Sequence, residues 1–180
     1  MEQKVRKGEE LNEINLKNFL KENDLISNIK SELKVLQFSN GFSNLTYSLA
    51  IENKEYVIRK PPKGAVYGHD MSREFKVLKG LNNGFNKAPI AYAYSEDNSI
   101  IGTSFYIMEK VNGKIITPRE FKERSIPNED YSTISKTWLK TFVELHNLDF
   151  NKLGLSELGK PDGYVERQVR NWGKQYLKAA

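Results

Sequence analysis

Three features of this sequence, a polar loop, a cation and a carboxylate, could together bind an anionic ligand. The loop at 39–46 reads Ser-Asn-Gly-Phe-Ser-Asn-Leu-Thr, Arg59 ends a Tyr-Val-Ile run, and Glu74 follows 15 positions later. Glycine and small polar side chains let backbone N–H groups approach anionic oxygens closely. A cation on a strand can neutralise phosphate charge, and a carboxylate on the next helix can hold that cation in place. The order of these features predicts a site for the phosphates of a nucleotide.

Each feature alone has an ordinary alternative interpretation. Asn40-Gly41 is also the commonest hairpin turn, and Arg59 with Glu74 could be a surface ion pair that contributes little stability. The loop has no G-x-G-x-x-G pattern, so it differs from the loop of typical protein kinases. Gly113-Lys114 does not complete a Walker loop, because position 108 is Met and position 115 is Ile. The prediction therefore depends on the ordered set of features.

The elements that would position these residues follow from periodicity and breakers. Apolar runs predict strands near 33–38, 47–51, 55–60 and 90–94, and one or two more in 100–108. Helical spacing predicts a helix near 11–22 and another that begins at Asp70, a suitable N-cap, and ends near 80–84. Two further apolar stripes follow residue 127, one in 131–145 and one in 165–176. This order predicts an α+β chain with an N-terminal helical segment (1–29), a small lobe of five antiparallel strands plus one helix (30–110), and a linker with a partial helical lobe (111–180).

Composition and charge restrict the class of protein and its partners. The chain of 180 residues has no cysteine, and neither a secretory leader nor a membrane-spanning run is evident, so we expect a cytoplasmic protein without a membrane partner. The formal net charge is +5, and residues 54–79 hold seven basic against three acidic side chains. That local excess favours an anionic ligand, although a solvated lysine-rich surface explains most of these residues equally well. Aromatics interleaved with arginine are not evident, so we expect no nucleic acid partner, and a basic binder of single-stranded nucleic acid is the weakest alternative.

Five segments in order resemble the aminoglycoside phosphotransferase-like family, in its branch associated with acyl-CoA dehydrogenases. They are FSNGFSNLTY (38–47), YVIRKPP (56–62), REFKVL (73–78), IGTSFYIME (101–109) and GYVERQVR (163–170). The resemblance extends over roughly residues 12–177 and implies a kinase-like small lobe followed by the first helices of a truncated helical large lobe. It also implies that ATP and Mg²⁺ are the cofactors and that the partner is a small-molecule phosphoryl acceptor.

The resemblance assigns roles to individual positions. Arg59 stands where the wider superfamily has its phosphate-binding lysine, and Glu74 would be its partner on the helix. Val57 would line the adenine pocket, Met108 would be the gatekeeper beside the adenine, and the backbone of Glu109 and Val111 would hydrogen-bond the adenine edge. The positions that would cover the triphosphate are Ser39, Asn40, Gly41, Ser43 and Asn44.

The catalytic segment of the family is the main departure. Family members carry His-Gly-Asp-x-x-x-x-Asn and a later Asp, which supply the catalytic base and the magnesium ligands. Here His146 is followed by Leu148 where the Asp is required, Gly154 stands in place of the Asn, and the other histidine, His69, precedes the inserted helix. We therefore expect no catalytic residue and no metal ligand within these 180 residues, and we expect both beyond Ala180.

Two functions follow as expectations. The first is ATP-dependent transfer of the γ-phosphoryl group to a hydroxyl of a metabolite, for which a hydroxyacyl-CoA is one candidate. The alternative is a non-catalytic module that binds a nucleotide or a partner, in effect a truncated pseudokinase. Exposed apolar stripes on the large-lobe helices would then favour oligomerisation.

Overall fold

The computed structural model describes residues 2–39, 43–64, 70–114, 116, 123, 127–160 and 162–179. Its strands are β1 (Glu2–Gln3), β2 (Lys34–Phe38), β3 (Leu45–Ile51), β4 (Lys54–Lys60), β5 (Ala91–Ser95) and β6 (Phe105–Glu109). Its helices are α1 (Glu13–Glu22), α2 (Met71–Leu81), α3 (Asn98–Ile101), α4 (Asn128–His146) and α5 (Tyr164–Ala179), with a 3₁₀ turn at Ser156–Leu158. None of the helices in the described ranges is both long and apolar enough to cross a membrane.

All six strands form one antiparallel sheet in the order β1-β2-β3-β4-β6-β5. Successive side chains of a strand point to opposite faces, and one face carries the buried core residues Tyr47, Leu49, Ile58, Phe105 and Ile107. We call this the outer face, and helix α1 covers it with Leu16, Phe19 and Leu20. The rings of Phe19 and Phe105 meet edge to face, with centroids 5.0 Å apart.

The opposite, inner face carries more polar residues and packs against α2. Phe75 of α2 stacks on Tyr94 of β5 with a centroid distance of 5.7 Å, and its centroid lies 6.3 Å from that of Tyr106 in β6. The Asp70 carboxylate accepts the Arg73 N–H at 2.9 Å, which caps the first turn of α2. This contact confirms the predicted N-cap. The single sheet together with its helices confirms the predicted α+β fold class.

The sheet differs from the predicted five strands at two places. Strand β1 adds a sixth strand of two residues, opposite Gln37 and Phe38 of β2. Ile100 and Ile101, predicted at the start of a strand, belong instead to helix α3. The Asp97 carboxylate accepts the Ser99 N–H at the start of this helix, and Gly102 ends it at a φ of 86°. The proposed boundaries after residues 29 and 110 remain predictions.

Helices α4 and α5 have the predicted apolar stripes, and these stripes are exposed. The exposed large side chains of α4 include Trp138, Leu139, Phe142 and Val143, and those of α5 include Val165, Val169, Trp172, Tyr176 and Leu177. Glu144 of α4 forms an ion pair with Lys87, which follows α2 in the chain. Trp138 and Trp172, which belong to these stripes, therefore lie on the surface of this chain.

Candidate functional site

The strand register aligns two rows of side chains on the inner face. Directly paired residues of neighbouring antiparallel strands share one face. The first row, which we call the apolar row, contains Leu36, Ser48, Val57 and Met108. The second, the charged row, contains Thr46, Arg59, Tyr106 and Tyr94. Val57 thus lies opposite Met108, and Arg59 lies opposite Tyr106. The predicted adenine-lining pair and the predicted phosphate-binding cation share one surface.

Glu74 is the centre of the charged part of the site. Arg59 Nη1 lies 3.4 Å from Glu74 Oε2, and the Tyr106 hydroxyl donates to the same oxygen at 3.0 Å. The Asn44 Nδ2 donates to Glu74 Oε1 at 2.9 Å. Since the cap at Asp70 fixes the first turn of α2, the carboxylate is held by its own helix and by three neighbouring elements. Arg59 and Glu74 come together as predicted, while the roles of these residues in binding remain predictions.

The ion pair between Arg59 and Glu74 is partly hydrated. Each side chain is about a third exposed, so solvent screens the attraction and the pair itself contributes about 1 kcal/mol at most. Its main consequence is geometric, because the carboxylate fixes where the guanidinium lies on the inner face. An arginine presents a planar set of N–H donors that matches the oxygens of a phosphate group.

Tyr106 was not identified from the sequence as a site residue. Burial raises the pKa of Tyr106 to about 12, Arg59 acts in the opposite direction, and the Glu74 carboxylate adds to the rise. The hydroxyl therefore keeps its proton at neutral pH and donates to Glu74. The sequence alone does not reveal this contact. Tyr106 lies directly opposite Arg59, and that position is known only once the strand register is known.

Arg59 also has an unpaired buried donor. Its Nε is buried and has no hydrogen-bond partner among the described residues. Buried polar groups in folded proteins nearly always have a partner. An unpaired guanidinium N–H on the inner face fits a ligand that carries acceptor oxygens, as the phosphates of ATP do.

The loop between β2 and β3 is described only at its ends. Asn40 and Gly41 lie outside the described residues, while Ser39 and Ser43 are exposed on either side of them. Asn44 is 4% exposed, and its amide nitrogen contacts Glu74. The sequence predicted that Asn44 covers the triphosphate and did not predict this contact. The contact attaches the end of the loop to helix α2.

The backbone amide of Glu109, the last residue of β6, is already engaged. The Glu109 N–H donates to the Ile90 carbonyl at 2.8 Å, and the Glu109 carboxylate accepts the Ile90 N–H at 3.1 Å. A contribution of Glu109 to an adenine edge would therefore come from its carbonyl oxygen. Val111 is exposed, and Met108 is partly buried. Between them in the chain, Lys110 forms ion pairs with Glu2 and Glu55.

The described residues do not provide a metal site. No group of three or more His, Asp or Glu side chains comes together in the part of the chain that the structure describes. His146 lies at the end of α4, where its ring packs on Phe142 and its Nδ1 lies 2.8 Å from the Phe142 carbonyl oxygen. This is a local helix-end contact. The magnesium ion implied by the resemblance is therefore not assigned to residues of this chain.

Comparison with known proteins agrees with this geometry. A family model described as the phosphotransferase enzyme family (APH) matches residues 34–180. Acyl-CoA dehydrogenase family member 11 of Rattus norvegicus is 38% identical over 156 residues, covering 86% of this chain and 20% of that protein. Acyl-CoA dehydrogenase family member 10 of Mus musculus is 35% identical over 152 residues, covering 82% of this chain and 14% of that protein.

A solved structure supports the fold independently. The crystal structure described as that of a candidate aminoglycoside phosphotransferase from Ralstonia eutropha JMP134 superposes with a TM-score of 0.73 at 29% identity. The match covers 93% of this chain and 48% of that chain. The present chain thus spans about half of that solved structure and at most about a fifth of the two named relatives. With the family model matching residues 34–180, this chain belongs to the phosphotransferase enzyme family.

Proposed function

We propose that this chain forms the nucleotide-binding part of an ATP-dependent phosphotransferase that acts on a hydroxyl group of a small metabolite. The observation that carries the proposal is the group of contacts around Glu74, which holds Arg59 on the inner face beside the apolar row. An adenine would pack on Val57 and Met108, and Arg59 would neutralise phosphate charge. The loop around Ser39 and Ser43 would cover the triphosphate.

In this proposal, bound ATP supplies the phosphoryl group, and the described residues bind and orient it. The Glu109 carbonyl would accept a hydrogen bond from the adenine amino group, and the Val111 N–H would donate one to a ring nitrogen. Positioning and charge neutralisation account for most of the rate in phosphoryl transfer. The relatives are named as acyl-CoA dehydrogenase family members, which makes a hydroxyacyl-CoA one candidate for the acceptor.

The proposal is tested by the substitution Arg59→Ala, with Arg73→Ala as a matched control. Arg73 is an exposed arginine of α2, adjacent in sequence to Glu74. A ligand that binds only the folded chain stabilises it by about 2.7 kcal/mol at a concentration 100 times its Kd. We expect ATP to stabilise the wild-type chain and the Arg73 variant against thermal unfolding. Arg59→Ala should lose most of this stabilisation. Equal stabilisation of both variants would show that Arg59 does not bind the phosphates.

A second candidate function is a nucleotide-binding or partner-binding module without activity. It is favoured by the exposed apolar stripes of α4 and α5, which offer a surface for a partner. Transfer of labelled γ-phosphate separates the two candidates, because the module would bind ATP without turnover.

Self-association through α4 and α5 remains a prediction that the exposed stripes support, and size-exclusion chromatography at several concentrations tests it.

A further inference from the structure

The middle of the apolar row is buried, whereas Leu36 and Met108 at its two ends are partly exposed. Ser48 is 4% exposed and Val57 is 6% exposed, although an adenine would need to pack on this part of the inner face. Ala91, which is paired with Met108 from the other side, is 1% exposed. An open nucleotide cleft would leave such residues accessible to water. Other residues of the chain therefore cover Ser48 and Val57.

Glu2 is one of the residues that cover Ser48 and Val57. Strand β1 places Glu2 opposite Phe38, which lies two residues after Leu36 and so on the same face of β2. Lys110 is the largest cause that lowers the pKa of Glu2, and the Ser48 side chain lies close enough to lower it further. The Glu2 Oε1 lies 2.9 Å from Lys110 Nζ. One carboxylate thus joins β1, the apolar row and the linker.

Lys110 is fixed from two sides. Its Nζ lies 2.6 Å from Glu55 Oε1 in addition to the contact with Glu2. The Lys110 side chain is 15% exposed and that of Glu2 is 27% exposed, so this ion pair is less screened by water than a surface pair. The hydrogen bond from Lys110 is the largest cause that lowers the pKa of Glu2, and Lys34 also favours the charged form. Glu2 therefore remains a carboxylate at neutral pH.

We propose that strand β1 is an intramolecular cover of the nucleotide cleft, and that the pair of Glu2 with Lys110 opens before a nucleotide base packs on Val57 and Met108. This inference rests on the proposed function, because it concerns regulation of the same site. A base and the Glu2 carboxylate compete for the space over Ser48 and Val57. The apparent Kd of the nucleotide is then the intrinsic Kd divided by the open fraction.

The first test measures ATP affinity by isothermal titration calorimetry for wild type, Glu2→Ala and Glu55→Ala. Both substitutions remove one carboxylate from Lys110, but only Glu2 belongs to strand β1. If about a tenth of the chains are open, Glu2→Ala should bind ATP about tenfold more tightly. Glu55→Ala should leave the Kd within about twofold of wild type, because Glu2 and strand β1 still cover the apolar row in this variant. Unchanged or weaker binding by Glu2→Ala would overturn the inference.

The second test needs no nucleotide. The three methionines of the chain can be labelled at their methyl groups. Met108 is the reporter because it lies in the apolar row. Met71, which is 1% exposed, is the control. A soluble paramagnetic agent should relax the Met108 methyl group faster in Glu2→Ala than in wild type, with Met71 unchanged. Equal relaxation at Met108 would show that Glu2 does not cover the row. If none of the three chains binds ATP, the proposed function fails, and the Met108 measurement still decides whether the cover exists.

Discussion

The contact between Asn44 and Glu74 predicts that these two residues contribute jointly to stability. The Asn44 Nδ2 donates to Glu74 Oε1 at 2.9 Å, and Asn44 is almost fully buried. A hydrogen bond to a charged group contributes about 1.5–3 kcal/mol when both partners are shielded from water. Because the Glu74 side chain is about a third exposed, screening reduces this value. We therefore expect a coupling free energy of about 1 kcal/mol between Asn44 and Glu74.

A double-mutant cycle measures this coupling directly. The free energy of unfolding is obtained from urea titrations followed by far-ultraviolet circular dichroism for wild type, Asn44→Ala, Glu74→Ala and the double variant. A matched cycle uses Asn15→Ala with Glu74→Ala. Asn15 also donates a side-chain hydrogen bond, to the Ser99 carbonyl at 2.8 Å, but has no contact with Glu74 in the structure. The control cycle should give a coupling within about 0.5 kcal/mol of zero.

Two results would refute this reasoning. The first is a coupling between Asn44 and Glu74 no larger than that of the control cycle. The second comes from Asn44→Asp, which puts a carboxylate beside Glu74 in place of the amide donor. Like charges at this distance repel, so Asn44→Asp should lower the free energy of unfolding at pH 7 more than Asn44→Ala does. Equal stability of these two variants would show that the Asn44 side chain does not face Glu74.

Two further predictions concern packing and pH. Gly80→Ala should lower the free energy of unfolding by about 1–3 kcal/mol, because a Cβ at Gly80 would clash with the Leu155 side chain and the Leu153 carbonyl oxygen. Urea unfolding measures this change, and a more stable variant would contradict the packing. Hydrogen bonds from the Ser27 and Asn28 N–H groups lower the pKa of Glu52 below its ordinary value. The stabilisation from this carboxylate is therefore present above the ordinary pKa of a glutamate and is lost as pH falls through the lowered pKa. Unfolding measured between about pH 5 and 3 should therefore depend less on pH in Glu52→Gln, and parallel curves would contradict this.

The sequence predicted the parts of the fold that local pattern determines. Helix α2 begins after Asp70 as expected, because a capping side chain and the apolar spacing of Met71, Phe75 and Leu78 agree. Strand β1 could not be predicted, since two polar residues carry no periodic signal. Its residues pair with the open edge of β2. Next to this edge, the side-chain oxygen of the buried Gln37 accepts the Arg6 N–H at 3.0 Å.

The sequence predicted that a cation and a carboxylate meet in the site, but it did not predict most of the other contacts between side chains there. Arg59 and Glu74 were expected to meet because a cation and a carboxylate in that order serve phosphate binding, and they lie 3.4 Å apart. The partners Tyr106 and Asn44 were not expected, because their contacts depend on strand register and on where α2 lies over the sheet. A short-range pattern encodes neither quantity.

Helix α2 links the charged row of the inner face to the segment that follows α4. Its first turn carries Glu74, which contacts the loop, β4 and β6 through three side chains. Six residues later, Gly80 lets the backbone and side chains at Leu153 and Leu155 approach the same helix closely. A helix of three turns moves largely as one body, so a shift at Leu155 should change the distance between Arg59 and Glu74. We therefore expect packing at the far end of α2, where a Cβ at Gly80 would meet Leu153 and Leu155, to affect the position of the Arg59 guanidinium.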